Sequence, residues 1–507
     1  MRTLVTASHS RQNPLAWSLA AALGLASGTG ATTAMPPPAD AVRPMAVRDS
    51  TPAHPQAGVL WPVSNCNDAG AGSLRAAAGH AIDGDGIDLS SLACSTISVT
   101  SGAITLHDVE LIGPGAAALT IDGAGNQGRR IFNHVGHGGG LTIRDVTVHG
   151  AKYQSNAGQG GACLRSDNGP LRIYNSVFDA CLAFAPTGTD SAVRGGAIAA
   201  YGSSVVLSRV TLSNNQARSA SGAALGGALY AFGDSVLIGD STISNNSATA
   251  ASASSIKRGG GVFAHGSAGF SRTTIDGNSS EGSGGGAWIE GGGHLMFSTV
   301  SNNLAVGGGA GIAFLGARGF NTSRAELFAS TISDNEAEAS TESATGALYL
   351  NTAFTSISSC TIAGNIESNI QGIAYGAGIL LGSATGNSLT MVSTIVHGNH
   401  FRDSTSGPDI GGPLGATIAG DHNLIGVAYV HVPDDTIRFS DPLLGPLQDN
   451  GGPTWTRMPA PNSPAIDHGN AQGQVFDQRE YPRVVGAAAD IGAVEAPSDV
   501  IFADGFE

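Results

Sequence analysis

The chain has 507 residues with 74 glycines, 12% charged residues and a formal net charge of −15, a profile that is neither charge-rich like disorder nor leucine-rich like a helical enzyme. Its only lysines are Lys152 and Lys257, so no cationic stripe exists to neutralise phosphates, and nucleic acid is excluded as a partner. The acidic balance also works against attachment to an anionic bilayer.

In chain order, residues 1–34 read as an export signal. Arg2 and Arg11 supply positive charge, 15–26 form a short apolar run, and small residues through Ala31 and Ala34 offer cleavage sites, so the mature chain is expected to start near Met35. That run is shorter than the roughly 20 residues of a spanning helix, and no later stretch reaches that length, so no transmembrane span is expected in the mature chain. Residues 35–60 form a Pro-rich linker, and 61–140 are assigned to an N-terminal cap and first coils. The five cysteines suit an oxidising compartment: Cys66 with Cys94 and Cys163 with Cys181 can close short loops and leave Cys360 over, or the small thiols pack in the interior, the reading preferred for Cys360. No CxxC or zinc-type Cys/His spacing occurs.

One phrase recurs through 141–400, an apolar residue followed three positions later by asparagine. The pairs are Leu212 with Asn215, Ile243 with Asn246, Ile275 with Asn278, Val300 with Asn303, Ile332 with Asn335, Ile362 with Asn365, and Val396 with Asn399. Val148 and Phe178 hold the apolar position earlier, where Ala151 and Cys181 replace the asparagine. A second phrase, a glycine-rich lead-in to an apolar strand, keeps step with it at Gly195-Gly196-Ala197-Ile198, Gly226-Gly227-Ala228-Leu229 and Gly259-Gly260-Gly261-Val262. Alternating apolar and polar residues lie between, as half-buried strands require. Units of this size with no helical period cannot bury their apolar face alone, whereas stacking buries a continuous core, so we predict a parallel β-solenoid, right-handed as such crossovers are. The asparagines are expected to form an amide ladder at one turn, helped by asparagine's tolerance of left-handed backbone. Segments 216–225, 247–258, 336–345 and 366–375, between each asparagine and the next glycine lead-in, are expected to be loops leaving one corner as a smooth rim.

These features resemble a family of secreted bacterial proteins that join pectin-lyase-like β-helix repeats to a C-terminal region called choice-of-anchor Q. The N-terminal match is 66–78 (CNDAGAGSLRAAA) with Leu111-Ile112-Gly113-Pro114-Gly115, and the repeats are also similar to those of polymorphic outer membrane proteins. The C-terminal match, within 401–495, includes Asp421-His422-Asn423-Leu424-Ile425-Gly426, Asn450-Gly451-Gly452-Pro453-Thr454, Ser463-Pro464-Ala465-Ile466-Asp467 and Asp490-Ile491-Gly492-Ala493. The resemblance implies an all-β, single-stranded right-handed parallel β-helix with capped ends, secreted or on the surface of a Gram-negative-type bacterium, and residues 496–507 then form a C-terminal tail.

Enzymes of the pectin-lyase fold would leave signals in the chain. Gly136-His137-Gly138 has the spelling of a polygalacturonase motif, but that chemistry needs carboxylates beside the histidine, and the only adjacent aspartate pair, Asp434 and Asp435, lies far downstream. Lyases need an arginine or lysine base, for which Arg194, Arg209 and Arg272 read more simply as structural charges. The run Asp83-Gly84-Asp85-Gly86-Ile87-Asp88 hints at calcium, yet EF-hand spacing requires glycine at Asp88 and a carboxylate at Cys94. At Gly308-Gly309-Ala310-Gly311-Ile312-Ala313 an alanine stands where a calcium nonapeptide needs aspartate. Asp467, Asp477, Arg479, Arg483 and Asp490 are expected to hold loops by charge-assisted hydrogen bonds. No catalytic, cofactor-binding or metal-ligating residue is therefore assigned, and no cofactor is expected. The reading is a non-enzymatic secreted or surface rod that engages an extracellular polysaccharide or a cell-surface ligand in adhesion or envelope interaction; the alternative is a carbohydrate-active enzyme, lyase or glycoside hydrolase. A groove beside the coils holding carboxylates and a basic residue would favour the enzyme.

Overall fold

A repeat whose apolar residues alternate along short strands can close only by turning and stacking, and the computed structural model of this chain does so as a right-handed parallel β-helix. It describes residues 58–125, 128–154, 159–186, 192–202, 204–316, 323–338, 346–368, 376–383, 389–404 and 407–497. The expected export signal at 1–34, most of the expected linker at 35–60 and residues 498–507 of the expected tail at 496–507 lie outside these residues.

One coil shows the plan. Strands Ile198–Tyr201 and Ser204–Ser208 lie in a large sheet, Thr211–Ser213 in a second and Gln216–Ser219 in a third. Each pairs in parallel with its counterpart one coil on, Ile198 opposite Leu229, Thr211 opposite Thr242 and Gln216 opposite Ser247. Among the described residues the three sheets have 22, 13 and 9 strands. The large sheet holds two rows per coil, and these fuse into single bent strands at Leu229–Gly239 and Val262–Ser271. Inward positions stack as continuous apolar files: Leu212, Ile243, Ile275, Val300, Ile332, Ile362 and Val396 are all buried in the second sheet. At Gly226 the chain enters the coil of Leu229 with φ of 69°, and a Cβ there would lie 2.1 Å from the Leu229 carbonyl oxygen, so only glycine fits.

The amide ladder forms as expected. Asn215, Asn246, Asn278, Asn303, Asn335 and Asn365 each donate from Nδ2 to Oδ1 of the next asparagine, at 2.7 to 3.0 Å, ending at Asn399. Their backbone N–H groups donate to the same oxygens, and a second amide hydrogen reaches a carbonyl of the preceding coil, such as Ile275 for Asn303. Two substitutes extend the ladder. Cys181 still donates its backbone N–H to Asn215 Oδ1, and Asn399 donates to the Asp409 carboxylate at 2.8 Å. One detail differs from expectation: the left-handed residue is the one before the ladder asparagine, with φ of 55° at Asn214, 56° at Asn245 and 53° at Asn302. The ladder amide is thereby aimed inward from ordinary backbone.

A second polar file, unforeseen, runs at the turn before the second sheet. Ser241, Ser298 and Ser330 each accept a backbone N–H from the preceding coil and donate to a carbonyl two residues back. Cys360 takes one place in this file as a free, buried thiol, and burial pushes its pKa up to about 12. Disulfides join Cys66 to Cys94 and Cys163 to Cys181.

The segments expected to be loops are corrected. Residues 216–225 and 247–258 begin as third-sheet strands Gln216–Ser219 and Ser247–Ala250, and return through Ala224–Leu225 and Lys257–Arg258 in a small three-stranded sheet with Val193–Arg194. The ladder imposes this, because its asparagine carbonyls accept from the next coil, Asn215 from Ser247 N and Asn246 from Ser279 N, which holds the following residues extended. Segments 336–345 and 366–375 open likewise with Glu336–Ala337 and Ile366–Glu367, and 339–345 and 369–375 lie outside the described residues.

The N-terminal end of the solenoid is capped, and one flank is covered. Helix Leu74–His80, capped by Ser73 accepting from Ala76 N, buries Leu74, Ala77 and Ala78 at the first strands. Asp68 fastens this helix by pairing with Arg75 at 2.7 Å and accepting from Thr100 and Ser101. After the last coil strand, Ile437–Arg438, the chain turns back and lays residues 442–496 over the outer face of the second sheet. There Gln478 donates to Ser298 O and Thr299 Oγ1 and accepts from Thr331, while Arg457 grips Asp334 and Ala493 N reaches Thr361. This cover explains why Thr299, Thr331 and Thr361 are buried although they point outward.

Replacing Asn303 by leucine leaves the backbone N–H of Asn278 and its amide without their acceptor, with an expected loss of roughly 1 to 3 kcal/mol in thermal or denaturant unfolding. For Asp68, burial raises the carboxyl pKa but the Ser101, Arg75 and Thr100 hydrogen bonds outweigh it, so the folded value is depressed below the ordinary 3.8. Such a group stabilises at pH above 3.8 and loses that contribution as pH falls below it. Asp68→Asn should therefore lower Tm at pH 7, and the gap to wild type should shrink as both are melted at progressively lower pH.

Candidate functional site

Where the two rows of the large sheet meet, each coil bends through a short turn, and stacking aligns these turns into a crease along the rod. Its floor needs residues without side chains. Gly169, Gly202, Gly233, Gly266 and Gly291 succeed one another there; a Cβ on Gly202 would lie 2.0 Å from Gly169 O, and one on Gly291 would lie 2.4 Å from the Gly266 carbonyl carbon. This glycine file, about one per coil, was legible in the sequence but is masked by the more numerous glycines of the lead-ins.

Towards the N-terminal end the crease turns carry Asp83, His107 with Asp108, and His137. His137 Nδ1 stands 2.9 Å from Asp83 Oδ2, although the two are 54 residues apart in the chain. The expectation that no carboxylate accompanies this histidine is thus corrected: coil stacking supplies Asp83 and Asp108, whereas Asp434 and Asp435 belong to a distant turn, where Asp435 accepts from His422 N. Asp108 ties the cluster together. Its carboxylate accepts from the backbone of His137 and Gly139 at 2.9 and 2.8 Å, and its own N–H donates to Asp83 Oδ1 at 3.2 Å.

Beneath lies a buried relay. Asp108 Oδ1 is 2.9 Å from His134 Nε2, and His134 Nδ1 is 2.8 Å from Ser166 Oγ. Burial pushes the His134 imidazole below its usual range against the pull of Asp108, while Asp108 is held low because its donors outweigh burial. The imidazole is then neutral, donating from Nε2 to the carboxylate and accepting the Ser166 hydroxyl at Nδ1. The order serine, histidine, aspartate is that of an activated nucleophile, but Ser166 is 1% exposed and His134 0%. No substrate reaches that hydroxyl, and the relay serves to anchor the crease.

Among the described residues, clefts open on the crease at two places. The first, about 570 Å³, is bordered by Asp83, Asp108, Glu110, His137, Thr142 and Arg172. Glu110 is taken up by Arg144 at 2.7 Å. The second, about 600 Å³ and midway along the rod, is bordered by Asp234, His265, Glu290, His294, Arg324 and Glu326 over the glycine floor. Phe232 is exposed at its edge with its ring centroid 4.6 Å from that of His265. Glu290 accepts from Arg258 and from Trp288 Nε1, both at 3.0 Å, and burial lowers the His294 pKa. Outward neighbours Tyr230, Phe263 and Trp288 form an aromatic file along the first row, buried together with Ala313.

The other candidates serve the scaffold. Arg272 makes a two-pronged pair with Asp240 at 2.5 and 2.8 Å, Arg209 donates to Asn175, and Arg194 lies over the Tyr230 ring. Asp83, Asp85 and Asp88 diverge: Asp85 accepts from Val59, Ile82 and Trp61, and Asp88 from Ser90. In the C-terminal cover Asp477 binds Arg479, Arg483 reaches Asp490 O and Ser359, and Asp467 accepts from Ala488 N, the loop-holding roles expected of them.

These coils define the class as a right-handed parallel β-helix protein, and residues 95–328 match the family model described as "Right handed beta helix region". A solved structure, the crystal structure of pectate lyase Pel9A, is similar over 87% of this chain and 96% of its own, at 13% identity and a TM-score of 0.43. No curated protein matches the chain. The family model speaks for the coils and leaves their chemistry open.

Gly291→Ala tests the crease. Its Cβ has no space against Gly266, so unfolding should show a loss of about 1 to 3 kcal/mol; unchanged stability would mean that the coils part there freely.

Proposed function

We propose that this chain is an exported, non-enzymatic β-helix rod that holds an extended polysaccharide along the crease, outside the cell or at its surface. The mid-crease cleft carries the reading. It joins an exposed ring pair, Phe232 with His265, to polar groups Asp234, His294, Arg324 and Glu326 on a side-chain-free floor. A sugar polymer asks for such a surface: a flat apolar face to lie on and spaced hydrogen-bonding groups for its hydroxyls. The export signal at 1–34 and the resemblance of 401–495 to the choice-of-anchor Q region support the location.

One observation favours the enzymatic alternative, since carboxylates and imidazoles do share both clefts. Against it, Asp108, Glu110 and Glu290 are each already engaged by a partner within the protein. A working acid or base needs a proton it can exchange with substrate.

Binding of polygalacturonate, alginate and neutral glucans should be measured by calorimetry alongside product release. Saturable binding to at least one of them, weakened roughly 10-fold in Phe232→Ala with Tm unchanged, is expected, the loss corresponding to one stacking contact of about 1.4 kcal/mol. Release of unsaturated or reducing ends at enzymatic rates would replace this reading with the alternative, and absence of binding to all three would remove it.

A further inference from the structure

We propose that Asp83, His107 and His137 form a binding site for a divalent transition metal ion of the zinc class. One ligand atom from each residue lies within 4.8 Å of the other two, and the closest pair, Asp83 Oδ2 and His137 Nδ1, is 2.9 Å apart. Ligand atoms around tetrahedral zinc, with bonds of about 2.0 to 2.2 Å, stand roughly 3.3 Å from one another. The wider pairs therefore need to close by on the order of 1 Å. The side chains have room to do so, because those of His137 and Asp83 are 60% and 46% exposed.

Donor type selects the ion. Two imidazoles with one carboxylate form a nitrogen and oxygen set suited to zinc, cobalt or iron, whereas calcium takes six to eight oxygens. The frame behind the ligands is already fixed. Asp108 N–H holds the far oxygen of Asp83, the Asp108 carboxylate holds the backbone of His137 and Gly139, and His134 with Ser166 fixes that carboxylate from below. The His107 and His137 rings lie nearly parallel, 15° apart, with centroids at 6.0 Å. Metal sites rely on such outer contacts to hold ligands in orientation. With three protein ligands the ion keeps an open position, and the cleft bordered by Glu110, Thr142 and Arg172 begins beside it. This site is separate from the mid-crease cleft and stands whether or not polysaccharide binds there.

The test uses the full chain without an affinity tag, stripped with a chelator and titrated with Zn²⁺ by calorimetry and with Co²⁺ by visible absorption. One ion per chain is expected, with a cobalt spectrum of nitrogen and oxygen ligands. His137→Ala and Asp83→Asn should each weaken binding roughly 100-fold, while His265→Ala, on the second cleft, leaves it unchanged. Asp83→Asn retains an oxygen for the Asp108 N–H, and melting curves superimposable on wild type would confirm that it folds. Absence of saturable binding, binding unaltered in the His137→Ala Asp83→Asn double variant, or tighter binding of Ca²⁺ than of Zn²⁺ would each overturn the proposal.

Discussion

A buried amide that must find its hydrogen bonds is the constraint on which this molecule rests. At each ladder position a neutral asparagine sits in the interior, and it is tolerable there only if the next coil presents an oxygen in register. That requirement fixes the rise between coils, the position of the turn and, through the carbonyl of the same residue, the start of the third sheet. A slip by one residue would strand several amides together, so register is defended along the whole rod at once. The serines of the neighbouring turn repeat the arrangement with hydroxyls, which satisfy one N–H and one carbonyl each.

The same stacking explains what was legible beforehand. Spacing of Asn246, Asn278, Asn303 and Asn335 is a one-dimensional signal, and one residue type at one turn announces both the ladder and the solenoid. The third sheet was hidden because most of its strands are only two to four residues long and their inward positions are small, as at Ala217, Ala248, Ser280, Ala305 and Ala337, so no large apolar residue marks the alternation. The backward course of 442–496 was hidden for another reason: Gln478, Thr454 and Arg457 act through contacts more than a hundred residues away with Thr331, Phe297 and Asp334. Nothing local distinguishes a polar residue aimed at solvent from one aimed at a sheet face.

The candidate site illustrates the limit more sharply. His137 is recognisable as unusual, and Asp83 as part of an acidic run, but neither has its partner among its sequence neighbours. In a β-helix the relevant neighbours are one and two coils away. Aligning the turns between the two rows would have set Asp83, His107 with Asp108, and His137 in one column. The glycines of the crease floor would have marked where that column runs.

A solenoid builds surfaces differently from a globular enzyme, and this bears on what the crease can do. Each coil contributes one short turn, so any cluster is assembled from residues at a spacing of about 4.8 Å per coil, the parallel strand separation. Such a surface naturally offers repeated, similar contacts to an extended partner. A concentrated group of unlike residues is harder to obtain, because a turn of few residues has room for one or two functional side chains. The N-terminal end overcomes this by drawing on three successive turns and spending one carboxylate, Asp108, wholly on holding the others in place. The mid-rod cleft has no counterpart to Asp108 among its described hydrogen bonds: its acidic and basic groups line a floor of glycine, and the one carboxylate firmly held, Glu290, is bound to Arg258 and Trp288 of the aromatic file. Preorganisation therefore distinguishes the two places. That difference matches the two proposals, a small ligand at the end of the crease and a long one along its middle.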